Sequence, residues 1–306
     1  MEGGVSFNMI KPIRIITRMD IKGPNLVKGI QFDGYRALGM AQDYAYLHYR
    51  EGADEIIFYD TVASLYQRNN LLEFVTAVSK HIFIPLTVAG GIRSIDDIHK
   101  ILRAGADKVA INTAAVYNPD LISEASKVFG SQCIVAGIEA KKRKDGTYEN
   151  WVDYGRQPTG INAVDWSRRV VDLGAGEILL TSIDFEGTGK GFDIELTRMI
   201  SESVSVPVIA SGGAGSKEHV EEVITKGKAD AIAIATIFHY NYAKPINRMF
   251  SASNGNCLRM GEQIDEGNME FVNTFYGGLG EKRFDVISIA ELRDYLQKKD
   301  IKCHNR

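Results

Sequence analysis

The sequence is poor in several features that would assign a class at once. It holds 3 cysteines in 306 residues (Cys133, Cys257 and Cys303), with no CxxC pair and no even framework. That excludes a disulfide scaffold and points to a reducing, cytoplasmic compartment. No apolar run approaches the roughly 20 residues that span a bilayer, and the longest is Ala231 to Phe238. Met1 to Met9 lacks a basic start followed by an apolar stretch, so no signal peptide is expected. Charge of one sign is also missing: 36 basic residues stand against 39 acidic ones, a net charge of −3. Nucleic acid is therefore not the default partner. The 6 histidines are dispersed without metal-ligand spacing, so neither a metal site nor a cofactor is expected. No nucleophile stands beside a base.

What is present is ordinary globular material, 44% apolar and 25% charged, which excludes disorder of the chain as a whole. Short β-branched runs alternate with longer helical patterns. The strands are expected at Ile13–Met19, Glu55–Asp60, Ile82–Val88, Lys108–Ile111, Cys133–Ile138, Glu177–Ser182, Val206–Ala210 and Asp230–Ala235. They are apolar on both faces, as strands between a core and a helical layer should be. Helices are expected near Leu38–Glu51, Leu71–His81, Ile95–Ala104, Pro119–Phe129, Ala163–Leu173, Ile194–Glu202, Lys217–Lys226 and Ile289–Lys298, with Ser94, Asn118 and Ser216 at N-cap positions. Eight such units predict an α/β fold, a single (β/α)8 TIM barrel over 1–306, rather than an open doubly wound sheet. No strand–GxGxxG–helix signature stands at the start to favour the sheet.

The barrel is expected to consist of two half-barrel repeats. Ile84-Pro85, Ala89-Gly90-Gly91 and Gly105-Ala106-Asp107-Lys108 return about 122 residues later as Val206-Pro207, Gly212-Gly213 and Lys228-Ala229-Asp230-Ala231. Two segments break the pattern. Lys141–Gly160 predicts a hairpin after the fifth strand. A long insertion, about 241–283, follows the eighth, and a structureless loop of that length is uncommon unless functional or disordered.

The chemistry is expected at the C-terminal ends of the strands. Gly90-Gly91 with Asn112-Thr113, and Ser211-Gly212-Gly213 with Ala235-Thr236, offer two phosphate cradles facing each other across the mouth. Tight βα turns are the plainer account of either glycine pair, but two symmetric pairs suit a substrate with a phosphate at each end. Asp20, Asp60, Glu139 and Asp184 fall at or near strand ends, and Asp20 and Glu139 would oppose each other as general acid and base. Arg14, Glu55, Lys108 and Glu177 mark strand starts, where an ion-pair ring closing the floor is the plain reading.

Several longer blocks go beyond generic barrel features. They are Asp20-Ile21-Lys22 leading to Val27-Lys28-Gly29, Gly90-Gly91-Ile92, Gly105-Ala106-Asp107-Lys108-Val109, Ile111-Asn112-Thr113-Ala114-Ala115, Phe129-Gly130-Ser131-Gln132, Gly174 through Asp184, and Ala210-Ser211-Gly212-Gly213-Ala214-Gly215. Together they resemble the cyclase subunit of imidazole glycerol phosphate synthase, from about Arg14 to Tyr240 and again from about Phe284. The resemblance implies a lyase of histidine biosynthesis. A separate glutaminase subunit docks on the floor, and its ammonia crosses the barrel to a ribulosyl aminoimidazole carboxamide nucleotide carrying two phosphates. The products are imidazole glycerol phosphate and AICAR, an aminoimidazole carboxamide ribonucleotide. It further implies that Arg14, Glu55, Lys108 and Glu177 form the ammonia gate, that Asp107 contacts the partner and that Lys28 lies on a flexible loop near substrate. Asp20 matches one catalytic aspartate. Asp60 and Asp184 join the cradles among the substrate-binding positions.

Two departures accompany the resemblance. Glu139 stands where the family has its second catalytic aspartate, and the extra methylene moves the carboxylate by about 1 Å, a displacement that can cost around a hundredfold in rate. The insertion at 241–283 is the other. Together they point to a divergent paralogue. The alternatives are a barrel delivering ammonia to a synthetase that amidinates surface-polysaccharide sugars, and a phosphosugar isomerase needing no ammonia.

Overall fold

A computed structural model describes residues 11–61, 70–243 and 284–304. Eight parallel strands close on themselves: β1 (Arg14–Lys22), β4 (Glu55–Asp60), β5 (Leu86–Ala89), β6 (Lys108–Ile111), β7 (Ile134–Lys142), β10 (Glu177–Ser182), β11 (Val208–Ser211) and β12 (Ala231–Ile234). β10 pairs with β7 on one side and β11 on the other, and β1 with β12 and β4, so the barrel has no free edge. Helices connect the strands: α1 (Ala41–Arg50), α2 (Asn70–Ser79), α3 (Ile95–Arg103), the short α4 (Thr113–Tyr117), α5 (Asp120–Phe129), α6 (Ala163–Asp172), α7 (Ile194–Ser201), α8 (Lys217–Thr225) and α9 (Ile289–Lys298).

Two apolar cores follow from the period of two along each strand. The larger lies between strands and helices and takes in Ile15, Phe58, Val88, Ile178 and Ile232. The smaller fills the lumen with Ile16, Ile57, Ala89, Ala110, Val135, Leu179, Ile209, Ala231 and Ala233. The same parity puts Arg14 below Ile16 on β1, and Arg18 and Asp20 above it.

The helix starts are built as the sequence suggests at Ser94 and Ser216, whose side chains accept from Asp97 N and His219 N. Asn118 differs. It ends α4, and α5 starts at Pro119, whose ring has no acceptor to offer as a cap; the Asn118 carbonyl accepts from Leu121 N instead. An antiparallel hairpin unforeseen in the sequence, β2 (Asn25–Ile30) and β3 (Asp33–Met40), extends from β1 and delays α1 to Ala41. The hairpin expected over 141–160 is present as β8 (Tyr148–Val152) and β9 (Gln157–Asn162), running antiparallel from β7. Of the insertion, only 241–243 belongs to the described residues.

Candidate active site

The floor is set by four long charged side chains on inward positions at the strand starts. Arg14 reaches Glu55 at 3.0 Å and Glu177 at 2.7 Å, and Lys108 reaches the same two carboxylates at 3.0 and 2.8 Å. Thr87 Oγ1 donates to Glu55 at 2.6 Å. Two cations and two anions alternate in a closed ring, so buried Glu55 and its three half-buried partners are each neutralised by two neighbours. Asp107 is engaged within the chain: it accepts Leu86 N at 2.8 Å, as Asp230 accepts Val208 N at 2.9 Å in the other half.

At the opposite end the inward positions carry Arg18 and Asp20 from β1, Tyr59 from β4, Glu139 from β7, Thr181 from β10 and Ser211 from β11. Arg18 Nε donates to Asp20 Oδ1 at 3.0 Å, and the Arg18 guanidinium carbon lies 4.7 Å from the centre of the Tyr59 ring. Tyr59 in turn donates to Glu139 Oε1 at 2.7 Å. A continuous chain of contacts therefore links the two carboxylates that sequence reasoning set on opposite sides of the mouth. Glu139 Oε2 receives Gly155 N at 2.7 Å. Asp20 and Glu139 are 1% and 2% exposed, so both lie outside bulk water.

Their settings differ. Asp20 is the anion of an ion pair. Burial pushes the Glu139 carboxyl above its usual range, against the opposing pull of the Tyr59 hydroxyl, Arg18 and the Gly155 N–H. Burial and the Glu139 charge push Tyr59 upward as well, which keeps it a donor.

Lys28, on β2, is buried against Glu186, and Glu186 Oε2 also accepts Phe32 N at 3.1 Å. Gln31 N donates to Glu186 O at 2.9 Å, so this glutamate ties the β2–β3 turn to the loop after β10. Phe32 and Tyr154, both at left-handed φ (63° and 58°), meet over the mouth with ring centres 4.3 Å apart.

The first glycine pair opens onto a cavity of about 350 Å³ lined by Tyr59, Gly90, Gly91, Asn112, Thr113 and Asp153. Its size suits a small ligand or one end of a larger one. Glycine is compulsory in both halves for a backbone reason. A Cβ on Gly90 would stand 2.5 Å from Asp60 O, and one on Gly213 would stand 1.8 Å from Gly191 O. Gly212 lies against Ser182 O and Glu186, and Thr236 is buried one step beyond Ala235. Asp60 ends β4 beside Gly90. Asp184 accepts Lys142 N at 2.9 Å on the outer rim.

Arg18, Tyr59, Tyr154 and Glu186 were not anticipated from sequence. Arg18 carried a usable signal, a cation inside an apolar run at the same parity as Asp20.

A closed barrel of two like halves, with opposed carboxylates and a glycine turn from each half at its mouth, defines a (β/α)8-barrel enzyme of the duplicated half-barrel type. The chain belongs to the histidine biosynthesis protein family, whose family model matches residues 14–244. Over 206 residues it is 58% identical to the imidazole glycerol phosphate synthase subunit HisF of Legionella pneumophila, a match covering 67% of this chain and 97% of that protein.

Proposed function

We infer that this chain is the cyclase subunit of an imidazole glycerol phosphate synthase and serves histidine biosynthesis as an ammonia-dependent lyase. The reading is carried by the opposed pair Asp20 and Glu139, one from each half-barrel, held in unlike electrostatic settings at one mouth. Such a pair divides the labour of proton transfer. Glu139, with its proton favoured by burial, donates as the ribulosyl carbonyl oxygen leaves as water. Asp20, an anion beside Arg18, accepts protons from the attacking nitrogen as the ring closes. The bond to the nucleotide portion then breaks, leaving imidazole glycerol phosphate and AICAR. Gly90, Gly91, Asn112 and Thr113 bind one phosphate, and Ser211, Gly212, Gly213, Ala235 and Thr236 bind the other. Lys28, Asp60 and Asp184 complete the substrate site.

A glutaminase subunit supplies the ammonia from the floor. Arg14, Glu55, Lys108 and Glu177 form its gate, Asp107 contacts that partner, and the complex is cytoplasmic. The whole chain, 1–306, is one barrel domain bearing the insertion at 241–283. The glutamate in place of the family's aspartate is accommodated because both of its oxygens are held, by Tyr59 and Gly155.

Direct turnover tests the reading. Purified protein given the ribulosyl aminoimidazole carboxamide nucleotide and an ammonium salt at alkaline pH should form imidazole glycerol phosphate. Asp20→Asn and Glu139→Gln should each lower kcat by about 10² to 10⁴. Folded protein that binds the nucleotide and yields no product, with or without a glutaminase, would remove the cyclase reading.

A further inference from the structure

Arg18 is a buried cation in the lumen that the reaction above uses only as the neighbour of Asp20. Its side chain leaves β1, passes β12 and reaches the next two strands. Nη1 donates to Thr181 Oγ1 at 2.9 Å and to Ser211 Oγ at 3.3 Å, and Nε donates to Asp20. Nη2 has no partner among the described residues, although the residue is only 2% exposed. A guanidinium donates and never accepts. Thr181 and Ser211 must therefore receive, and each hydroxyl keeps its own proton to give elsewhere. Thr181 and Ser211 are paired directly across β10 and β11, so these protons arise side by side. Three donors (Nη2 and two hydroxyls) share one small volume, and the described residues supply them no acceptor.

Buried donors without acceptors are costly, and where they occur they point to a missing partner. The partner's chemistry follows from the donor set. A fixed positive charge and several converging donors select an anionic oxygen, most strongly one with further oxygens for the neighbouring donors. Ser211 runs straight into Gly212-Gly213, the glycine turn of the second half. Asp20 on Nε fixes the plane of the guanidinium.

We propose that Arg18 is a substrate-binding residue, which together with Thr181 and Ser211 receives the phosphate monoester at the Gly212-Gly213 end of the site. It makes that end selective for a phosphate, and it joins phosphate binding to the orientation of Asp20 through one guanidinium. The proposal rests on the cyclase reading for the identity of the ligand and stands apart from it for the anion.

Calorimetric titration tests it with imidazole glycerol phosphate and AICAR, each of which carries one phosphate. Arg18→Met should weaken one of the two by about ten- to a hundredfold, the worth of a charged hydrogen bond, and leave the other within about twofold. Arg18→Lys should fall between. Equal weakening of both fragments, or of neither, overturns the proposal. Should Arg18→Met fail to fold with Asp20 left unpaired, Arg18→Met with Asp20→Asn removes both charges and is read against Asp20→Asn alone. Wild-type protein that binds neither fragment would count against the cyclase reading. Inorganic phosphate then decides the anion site by itself. At constant ionic strength it should raise the melting temperature of the wild type more than that of Arg18→Met, and an equal rise in both overturns the proposal.

Discussion

At the scale of single residues the site is governed by which groups are buried and what faces them. The Tyr59 hydroxyl stabilises the charged form of Glu139, in opposition to burial. Removing it should push the Glu139 carboxyl further up. If Glu139 works as the acid, activity falls as pH rises through its pKa, so Tyr59→Phe should move that falling limb to higher pH. The phenyl ring still stacks on Arg18, so the change isolates the hydrogen bond. The measurement is kcat/KM against pH at constant free ammonia, and a limb that stays in place would take the acid role from Glu139.

A second residue-scale device lies behind β1. His239 Nε2 faces the Arg18 carbonyl at 2.8 Å, and that carbonyl only accepts, so Nε2 carries the proton. His239 Nδ1 must then accept from His48 Nε2, 3.0 Å away. Both rings are fully buried and neutral. Burial lowers His239 to about 3, and burial together with the adjacent ring lowers His48. Unfolded histidine takes a proton near pH 6.5, where the native pair refuses it. Stability from this pair is therefore complete above about pH 6.5 and declines as pH falls toward 3, by up to about 1.4 kcal/mol per pH unit for each ring. Urea denaturation between pH 5 and 7.5 should show this slope, and the double variant His48→Gln with His239→Gln should flatten it.

At the scale of elements, the alternation of short β-branched runs with longer amphipathic stretches located all eight barrel strands and the eight longer helices, while the five-residue α4 is too short for a helical period to show. The β2–β3 hairpin escaped because Asn25–Met40 mixes glycine, charge and apolar residues without a sustained alternation, and its two turns rest on left-handed residues such as Gln31 and Phe32 rather than on a glycine pair. Asp20, Glu139 and the glycine turns were legible from the repeat. Arg18 shares the parity of Asp20, a signal that was present and passed over. Tyr59 gave none, for a physical reason: an uncharged side chain in a strand buried on both faces does not show which parity faces the lumen. Glu186 was hidden because its partner, Lys28, sits on the unforeseen hairpin.

The repeat also supplies an element-scale prediction. Asp107 and Asp230 hold equivalent backbone N–H groups at the starts of β5 and β11. Replacing either by Ala leaves such a donor without its acceptor, at a cost of about 1–3 kcal/mol, and guanidinium titrations of the two variants should agree. Their partner effects should diverge. If Asp107 meets the glutaminase, only Asp107→Ala weakens glutamine-dependent turnover while ammonium-dependent turnover stays level. Equal behaviour in both assays would leave Asp107 a purely internal clasp.

At the scale of the molecule, the barrel's last turn closes across the insertion. The Tyr240 and Phe284 rings lie 5.4 Å apart, Ile287 N donates to Ile237 O at 3.3 Å, and Asp285 N donates to Gly215 O at 2.7 Å. The chain thus leaves the barrel and re-enters it at one corner, and these contacts among the described residues anchor the approach to α9. Joining the ends of a loop costs about 0.6 kcal/mol for each doubling of its length. Exchanging these roughly 40 residues for a glycine–serine linker of about 5 shortens the loop by three doublings and lowers that cost by about 1.8 kcal/mol. Such a linker reaches roughly 20 Å when extended, ample for the corner described. The shortened chain should therefore fold and gain up to about 2 kcal/mol in urea denaturation, with both monophosphate fragments bound as before. A loss of stability would mean that 244–283 contributes more to the barrel than its closure costs. A loss confined to one fragment would instead assign the insertion to the Ala235–Thr236 end of the site, beside the donors that Arg18 directs.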